Sequence, residues 1–289
     1  MKKSSIALIV AAISIMGYVE SSQASLIYAN NAGAPTVEAF DTVTGAKVNS
    51  FSGNGTNGRG VVVVGDVVYT TDASTGVIGK FDRTTGTSLG TITITNGGNP
   101  VGGISTIGYD GDYFWTSDYS GANYAYRVDP VTGNVVKQIT LSESQGFYDG
   151  LEFFDDKLIA NNFDGGFGGG NQYSIYDTDG NLLQKDFIDT TGYGNGTGIA
   201  YDGTNFWISD IFNNRITQWS GVDGSYIGAL DLIGSNNVIE DLSFDYESRD
   251  DTCRQDCDDV SVPEPASVAL LGLGLVGVSF SRRRNKGAE

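Results

Sequence analysis

Histidine is absent from this chain of 289 residues. Histidine is the usual general base, the partner of the serine nucleophile in hydrolase triads and the commonest zinc ligand, so its absence argues against all three kinds of site. The chain also has only two cysteines and five prolines. No long apolar run with helical period lies between its two ends, which argues against a helical fold.

Basic residues are scarce, with 17 Lys and Arg against 35 Asp and Glu, a formal net charge of −18. Several of the basic residues fall in the two terminal segments described below, so the part between them is more acidic still. Nucleic acids and anionic lipids carry the same sign of charge and would be repelled by such a surface. We therefore expect no nucleic-acid partner, and contact with a membrane only through the terminal segments.

Glycine and aromatic residues are abundant, with 41 Gly, 15 Tyr and 14 Phe. Residues 198–232 show the pattern that such a composition favours, in which alternating apolar and β-branched residues are broken by Asp-Gly turns. This segment predicts an antiparallel meander of four strands, Gly198–Tyr201, Asn205–Ser209, Arg215–Trp219 and Tyr226–Leu232. A single four-stranded meander leaves apolar faces exposed and needs neighbours to cover them.

The same pattern repeats along the chain roughly every 40–48 residues, a period typical of repeat architectures. The predicted third strand of each repeat ends at an Asp or Ser that is followed by a Gly-containing turn, at Asp41, Asp82, Asp129, Asp177 and Ser220. The predicted second strand of each repeat ends at an Asp or Asn, at Asn31, Asp72, Asp118, Asn162 and Asp210.

The first repeat, near Tyr28, lacks a first strand, while an extra strand is predicted at 239–245. A radial array of sheets closes when the last strand joins the first sheet, so this mismatch predicts an all-β, five-bladed β-propeller over residues 25–248. A sixth blade would need another meander, and an open solenoid would not need the displaced strand. The last repeat resembles the NHL repeat in its segments GIAYD, WISD and NNRI; this resemblance implies a propeller but no particular function.

The first 24 residues have the three parts of a secretory signal peptide. Lys2 and Lys3 precede an apolar run from Ile6 to Met16, which is followed by the small-x-small sequence Ser22-Gln23-Ala24. We expect cleavage before Ser25, and a retained membrane anchor is the alternative.

The C-terminal segment, residues 262–289, begins with Val262-Pro263-Glu264-Pro265 and continues with an apolar stretch, 266–280, and then Arg282, Arg283 and Arg284. A helix of this apolar stretch would rise only about 22 Å, short of the usual span. The segment resembles the PEP-CTERM sorting signal of Gram-negative bacteria, with the triplet, transmembrane helix and arginines in order.

This resemblance implies recognition by an exosortase-like transpeptidase, transient anchoring in the inner membrane and a final place in the cell envelope, on the surface or in the extracellular matrix. It also implies an association with exopolysaccharide. The alternative is an ordinary C-terminal membrane anchor.

Between the predicted propeller and the tail, residues 249–261 form an acidic linker that contains Cys253 and Cys257. In an exported chain the two cysteines favour a disulfide, with free thiols as the alternative. A metal site would need two further ligands, and none is adjacent.

Polar residues at predicted strand ends would share one face of the propeller. A ring of carboxylates and amides there could bind Ca²⁺ or the hydroxyls of a sugar. The alternative is that these side chains only shape turns by bonding to nearby backbone. The candidate ligand-binding residues are Arg59, Asp72, Asp118, Asp149, Asn162, Asp210, Glu240 and Asp241.

Two further segments bear on a ligand site. Asp110-Gly111-Asp112 resembles a fragment of a calcium loop, but it does not continue to the full twelve-residue pattern, so turn formation explains it better. The glycine-rich loop 163–172 is interpreted as a flexible rim loop, or as a lid if a ligand site exists.

The sequence thus predicts a non-enzymatic, exported surface or matrix protein whose propeller is a binding or structural module. Polysaccharide or another surface protein is the expected partner; no catalytic residue or metal ligand is assigned, and no cofactor is expected unless Ca²⁺ binds. The alternative is a propeller hydrolase or lactonase that uses Ca²⁺ or carboxylates at the channel mouth, since neither chemistry requires histidine.

Overall fold

The computed structural model describes residues 25–119, 121–144, 148–162, 171–235 and 238–248. The predicted signal peptide, the acidic linker with Cys253 and Cys257, the sorting tail and most of the glycine-rich loop lie outside these residues. Predictions about those segments are therefore not addressed by the fold below.

Five four-stranded antiparallel sheets make up the described chain, as predicted for a five-bladed propeller. Blade 1 contains β1 (Leu26–Asn31), β2 (Thr36–Asp41) and β3 (Lys47–Ser52). Blade 2 contains β4 (Gly58–Val64), β5 (Val67–Asp72), β6 (Thr75–Asp82) and β7 (Ser88–Thr93). A short hairpin that the sequence did not predict follows, β8 (Thr95–Asn96) and β9 (Asn99–Pro100).

Blade 3 contains β10 (Ile104–Tyr109), β11 (Phe114–Asp118), β12 (Tyr124–Val128) and β13 (Val135–Thr140). Blade 4 contains β14 (Leu151–Phe154), β15 (Lys157–Asn161), β16 (Gln172–Asp177) and β17 (Leu182–Asp189). Blade 5 contains β18 (Gly196–Tyr201), β19 (Asn205–Asp210), β20 (Arg215–Ser220) and β21 (Tyr226–Asp231).

The last strand, β22 (Ile239–Ser243), pairs with β1 and completes blade 1. Its register sets Ser243 opposite Tyr28 and Leu242 opposite Ala29. The predicted closure of the ring by the late strand is therefore confirmed, although the strand ends at residue 243 rather than 245.

The hydrophobic core lies between neighbouring blades, because each sheet buries both of its faces against the next. Phe154 of blade 4 packs edge-on against Phe206 of blade 5, with ring centroids 4.9 Å apart. On the other side of blade 5, Trp207 contacts a buried cluster that includes Ile27 of β1 and Leu242 of β22. The closing strand is thus held by packing as well as by its pairing with β1.

Asp-Gly turns connect the first and second strands of two blades. The Asp202 carboxylate accepts hydrogen bonds from the backbone N–H groups of Thr204 and Asn205, at 2.9 and 2.7 Å, and from Trp207 Nε1 at 2.7 Å. Asp110 makes the equivalent bond to Trp115 Nε1, at 2.9 Å. These bonds fix the turn and the buried indole together, which explains why the Asp-Gly-x-x-Phe-Trp pattern recurs.

Candidate functional site

The innermost strands β4, β10, β14, β18 and β22 lie around the central channel, and we call the end at which they begin the channel mouth. In β4 the register passes from Gly58 opposite Asp72 to Val61 opposite Thr70, so two residues on β4 oppose one on β5. This arrangement is a β-bulge, which bends the strand and redirects its side chains.

The bulge recurs at the same place in three of the other four inner strands. The register shifts between Ile104 and Ile107 in β10, between Gly196 and Ile199 in β18, and at Glu240 in β22. Ahead of β14, the backbone N–H groups of Asp149 and Gly150 share the Asn161 side-chain oxygen, at 3.2 and 3.4 Å. The first bulge residues of these four strands, with the corresponding residue ahead of β14, form what we call the mouth ring: Arg59, Ser105, Asp149, Thr197 and Glu240.

Short polar side chains on the second strands support the bulges. Thr71 Oγ1 accepts a hydrogen bond from the backbone N–H of Gly60 at 2.6 Å, and Ser117 Oγ accepts one from Thr106 at 3.1 Å. In blade 5 the hydroxyls of Ser209 and Thr197 are 2.8 Å apart. The backbone of the mouth is therefore fixed by its own side chains.

Arg59 is the centre of the mouth ring. Its Nη1 lies 2.6 Å from Glu240 Oε1 and 3.7 Å from Asp149 Oδ2, so one guanidinium joins carboxylates from two other blades. Its Nη2 donates a hydrogen bond to the Tyr119 hydroxyl at 2.9 Å, and the guanidinium lies 4.9 Å from the centroid of the Tyr119 ring. Ser105 Oγ donates a hydrogen bond to Asp149 Oδ1. These charged side chains are almost fully buried, Arg59 being 8% exposed and Glu240 3%.

Asp241 lies one residue further into the channel and contacts three inner strands. Its Oδ2 accepts hydrogen bonds from Thr106 Oγ1 at 2.8 Å and from the backbone N–H of Val61 at 3.3 Å. Its other side faces Gly198, where an added Cβ would overlap the backbone of Asp241. The glycine makes room for this carboxyl, which is 1% exposed.

Burial changes the protonation of all three carboxyls. Desolvation, with a further contribution from the Asp149 charge, raises the pKa of Glu240 to about 8, although Arg59 opposes the shift. Desolvation also raises the pKa of Asp149, again against Arg59, and places the pKa of Asp241 well above its ordinary value. The site thus has one fixed cation and carboxyl groups that resist ionisation, a combination seen both in ligand sites and in structural networks.

The residues predicted at the ends of second strands lie at the same end of the blades, one strand further out, and hydrogen-bond mainly to the loops. Asp72 accepts hydrogen bonds from the backbone N–H groups of Thr56, Asn57 and Ser74, at 2.7 to 2.8 Å. Asp210 accepts them from Asn195 and pairs with Arg215 at 2.9 Å.

The two other strand-end residues also have local partners. Asp118 accepts a hydrogen bond from the Tyr126 hydroxyl at 3.2 Å, and Asn162 exchanges bonds with Gln172. The structure therefore brings Arg59, Asp149 and Glu240 together and leaves the strand-end set dispersed.

The described part of the chain contains no cluster of three Cys, Asp or Glu side chains close enough to bind one metal ion. Binding of Ca²⁺ stays a prediction. Asp110, in the calcium-loop fragment, instead bonds to the backbone of Asp112 and Tyr113 and to Arg127 Nε at 2.7 Å. A search of the described residues for a helix of membrane-spanning length and hydropathy also finds none.

Ser105, Thr197 and Tyr119 belong to the site but were not among the residues predicted from the sequence. Two signals were present. A polar residue followed by Gly lies at the start of inner strands, as in Arg59-Gly60 and Thr197-Gly198, and Thr or Ser precedes the terminal Asp of the strand beside it, as in Ser117-Asp118 next to Ser105. Aligning both patterns across the repeats would have identified the bulges.

Comparisons with known proteins address the tail and the fold separately. Residues 261–284 match the family model described as the PEP-CTERM protein-sorting motif. No curated protein matches the chain.

Three solved structures resemble the chain. A chain in the crystal structure of a nidogen/laminin complex is 12% identical with a TM-score of 0.51, over 76% of this chain and 97% of that one. Glutaminyl cyclase of Myxococcus xanthus is 11% identical with a TM-score of 0.46, over 72% and 75% of the two chains. The computationally designed Ika8 protein is 12% identical with a TM-score of 0.44, over 77% and 88%. At such identities the likeness concerns the fold alone.

The motif and the sheets together define a class of protein, an exported β-propeller with a sorting tail. The predicted PEP-CTERM signal is confirmed, and it marks the chain for recognition by an exosortase after a membrane-anchored stage of export. The predicted five-bladed propeller is confirmed as well. An NHL-type propeller is compatible with the sheets but is not established by them.

Proposed function

We propose that this chain is a surface or matrix protein of a Gram-negative bacterium whose propeller binds a partner at the channel mouth without catalysis. The partner would be an exopolysaccharide of the biofilm matrix or another surface protein. The observation that carries the proposal is the gathering of Arg59, Asp149 and Glu240 from three blades. Burying such charges is costly, and a hydrophobic replacement is often at least as stable, so a role beyond stability is favoured.

The position of the chain ends supports this use of the mouth. Ser25 and Ser248 line one groove together with Asp245, which follows β22. Since β22 begins at the mouth and runs away from it, this groove lies at the opposite end of the channel. The ends of the described chain therefore lie away from the mouth.

Export and sorting can be tested with the tail intact or altered. In a Gram-negative host that carries an exosortase, we expect the wild-type chain to lose mass at its C-terminus and to leave the inner membrane. Replacing Pro263, Glu264 and Pro265 by alanine should leave the full-length chain in the membrane fraction. Equal processing of both chains would contradict the proposal.

Binding can be tested by sedimenting the purified full chain, kept in mild detergent, with matrix material from the same class of bacteria. We expect the wild-type chain to co-sediment and an Arg59→Ala/Glu240→Ala variant to stay in solution. Melting temperatures of both proteins, measured in parallel, would show whether the variant remains folded. If the variant is folded and still co-sediments, the channel mouth is not the binding site.

A hydrolase is the second candidate, and the raised pKa values of Asp149 and Glu240 favour it because a protonated carboxyl can act as a general acid. The test is turnover of chromogenic glycosides and lactones, with and without Ca²⁺. If the wild-type chain shows sustained turnover and Glu240→Gln abolishes it, the protein is an enzyme and not a binding module. Absence of turnover would leave the binding module as the proposal.

A further inference from the structure

Three atoms of the mouth ring have no hydrogen-bond partner among the described residues, and one of them, Arg59 Nη1, is held in the ion pair with Glu240. The other two are Arg59 Nε, a donor, and Glu240 Oε2, which accepts when the carboxyl is ionised and donates when it is protonated; both are buried and unpaired. They belong to the two side chains that the 2.6 Å ion pair joins. Buried polar groups are almost always satisfied by protein or by an ordered molecule, so this pair of atoms indicates a small polar group between or beside them.

The charges around this pair restrict what that group can be. Asp149 and Glu240 already contact the Arg59 guanidinium and Asp241 lies just below, so an anion would have to displace these carboxyl groups, in a chain whose net charge is −18. A metal ion would need several ligating oxygens, yet no three acidic side chains of the described chain converge on one point. An uncharged group that can both accept and donate a hydrogen bond fits the site, and a hydroxyl is such a group.

Tyr119 adds an aromatic surface next to the same two side chains. Its hydroxyl fixes one end of the guanidinium through the 2.9 Å bond from Nη2, and its half-buried ring lies 4.9 Å from the guanidinium carbon. An aromatic ring with a polar edge suits a ligand that is apolar on one face and hydroxylated at its rim. A pyranose ring has this character.

We propose that the mouth ring binds a neutral sugar residue, one hydroxyl of which accepts a hydrogen bond from Arg59 Nε and is hydrogen-bonded to Glu240 Oε2. The inference deepens the binding role proposed above and rests on it. It commits to an uncharged polyhydroxylated ligand and excludes polyuronates and phosphorylated glycans. A lone buried water molecule, which would satisfy the same two atoms, is the competing explanation.

The test is titration calorimetry of the full chain in detergent with neutral hexasaccharides of glucose, galactose and mannose, and with a polyuronate of equal length. We expect at least one neutral hexasaccharide to bind and the polyuronate to bind at least tenfold more weakly. Arg59→Lys keeps the charge but lacks Nε, and Glu240→Ala removes Oε2. Each should weaken the binding at least tenfold, whereas the exposed Asp112→Asn should not.

The outcomes separate the two levels of proposal. If no neutral hexasaccharide binds while matrix material still co-sediments in an Arg59-dependent way, the sugar inference is overturned and the binding module stands. Stronger binding of the polyuronate would have the same meaning. If neither saccharides nor matrix material bind, the buried pair holds water only and both proposals fall. Melting temperatures within a few degrees of wild type, for both variants, establish that loss of binding is not loss of fold.

Discussion

Asp241 places a buried carboxyl group inside the channel. It is buried among three inner strands, and its Oδ1 has no partner while Oδ2 accepts bonds from Thr106 and Val61. Desolvation raises its pKa well above the ordinary value, so the neutral acid is the favoured form. The residue therefore contributes as a hydrogen-bonding group of fixed shape more than as a charge.

Replacing Asp241 by Asn tests this directly. The amide oxygen can accept the same two bonds, and the amide cannot ionise, so we expect the free energy of unfolding to change little at pH 5. At pH 8 the variant should exceed wild type, because a carboxyl with a raised pKa loses stability as pH rises. Urea unfolding at both pH values measures this.

Asp241→Ala is the control, since it removes both bonds and should cost about 1–3 kcal/mol at either pH. An Asn variant as unstable as the Ala variant at both pH values would show that the ionised carboxylate is needed.

Asp110 gives a second prediction at the residue scale. Its carboxylate accepts bonds from Trp115 Nε1 and Arg127 Nε, both of which would be left without this partner in Asp110→Ala. We expect a loss of about 1.5–3 kcal/mol in the free energy of unfolding, as for hydrogen bonds to charged groups. The exposed neighbour is the matched control, and Asp112→Ala should stay within about 0.5 kcal/mol. If Asp110→Ala and Asp112→Ala lower the free energy of unfolding equally, the hydrogen bonds of Asp110 do not stabilise the protein.

At the scale of the strand, the sequence predicted the strands well and their irregularities not at all. In blade 5, the strand predicted from Gly198 begins at Gly196, and the one predicted to end at Leu232 ends at Asp231. Alternation and turn residues are local signals, which is why the bounds agree so closely. A bulge depends on the partner strand, so the redirection of Arg59 and Glu240 into one mouth could not be read from either strand alone.

The bulge in β18 provides the prediction at this scale. A methyl group added at Gly198 would overlap Asp241, so Gly198→Ala should cost about 1–3 kcal/mol or more through overpacking. Gly228 lies on β21 of the same blade, and a methyl group there meets nothing within 4 Å. Gly228→Ala should be neutral or stabilise by about 0.4–1 kcal/mol, because it restricts the unfolded chain. Thermal unfolding of the two variants, measured in parallel, tests this difference in stability. If both variants lose the same stability, the bulge is not closely packed against Asp241.

For the whole molecule, the closure of the ring could be predicted from the sequence. The contacts between side chains at the channel mouth could not. Counting strands showed a first unit with one strand missing and a spare strand at 239–245, which together required closure. The contact between Arg59 and Glu240 joins residues from opposite ends of the domain, and no local pattern records which inner strands become neighbours. Their convergence follows only once β22 has joined β1.

Leu242 tests how much the closure contributes to stability. It is 1% exposed and belongs to the cluster shared by β22, β1 and blade 5, so Leu242→Ala should cost about 2–5 kcal/mol. Val222 is 90% exposed in a turn, and Val222→Ala should stay within about 0.5 kcal/mol. Chemical denaturation monitored by tryptophan fluorescence measures both. A small loss at Leu242 would mean that the ring holds together without its last strand.

Stability of the whole propeller should depend on pH in two opposite ways. Four turn aspartates, Asp41, Asp82, Asp129 and Asp177, have lowered pKa values, chiefly because nearby backbone and side-chain groups donate hydrogen bonds to them. Their contribution to the free energy of unfolding is complete above the pKa that aspartate has in the unfolded chain, about 4. It is lost as the pH falls below that value. The buried carboxyls of Asp149, Glu240 and Asp241 act in the other direction, because their raised pKa values remove stability as pH rises above about 4.

The free energy of unfolding should therefore be greatest near pH 4–5 and fall steadily towards pH 8, where Glu240 reaches its pKa of about 8. The net charge of −18 adds self-repulsion in the same direction. Measuring urea unfolding at about 1 M salt, where the Debye length is about 3 Å, suppresses that repulsion and leaves the buried groups. The decline should then persist in wild type and flatten in Glu240→Gln/Asp241→Asn. If stability instead rises from pH 5 to pH 8 at high salt, the buried carboxyls are ionised in the folded protein and the channel contains a counter-charge that the side chains described above do not supply.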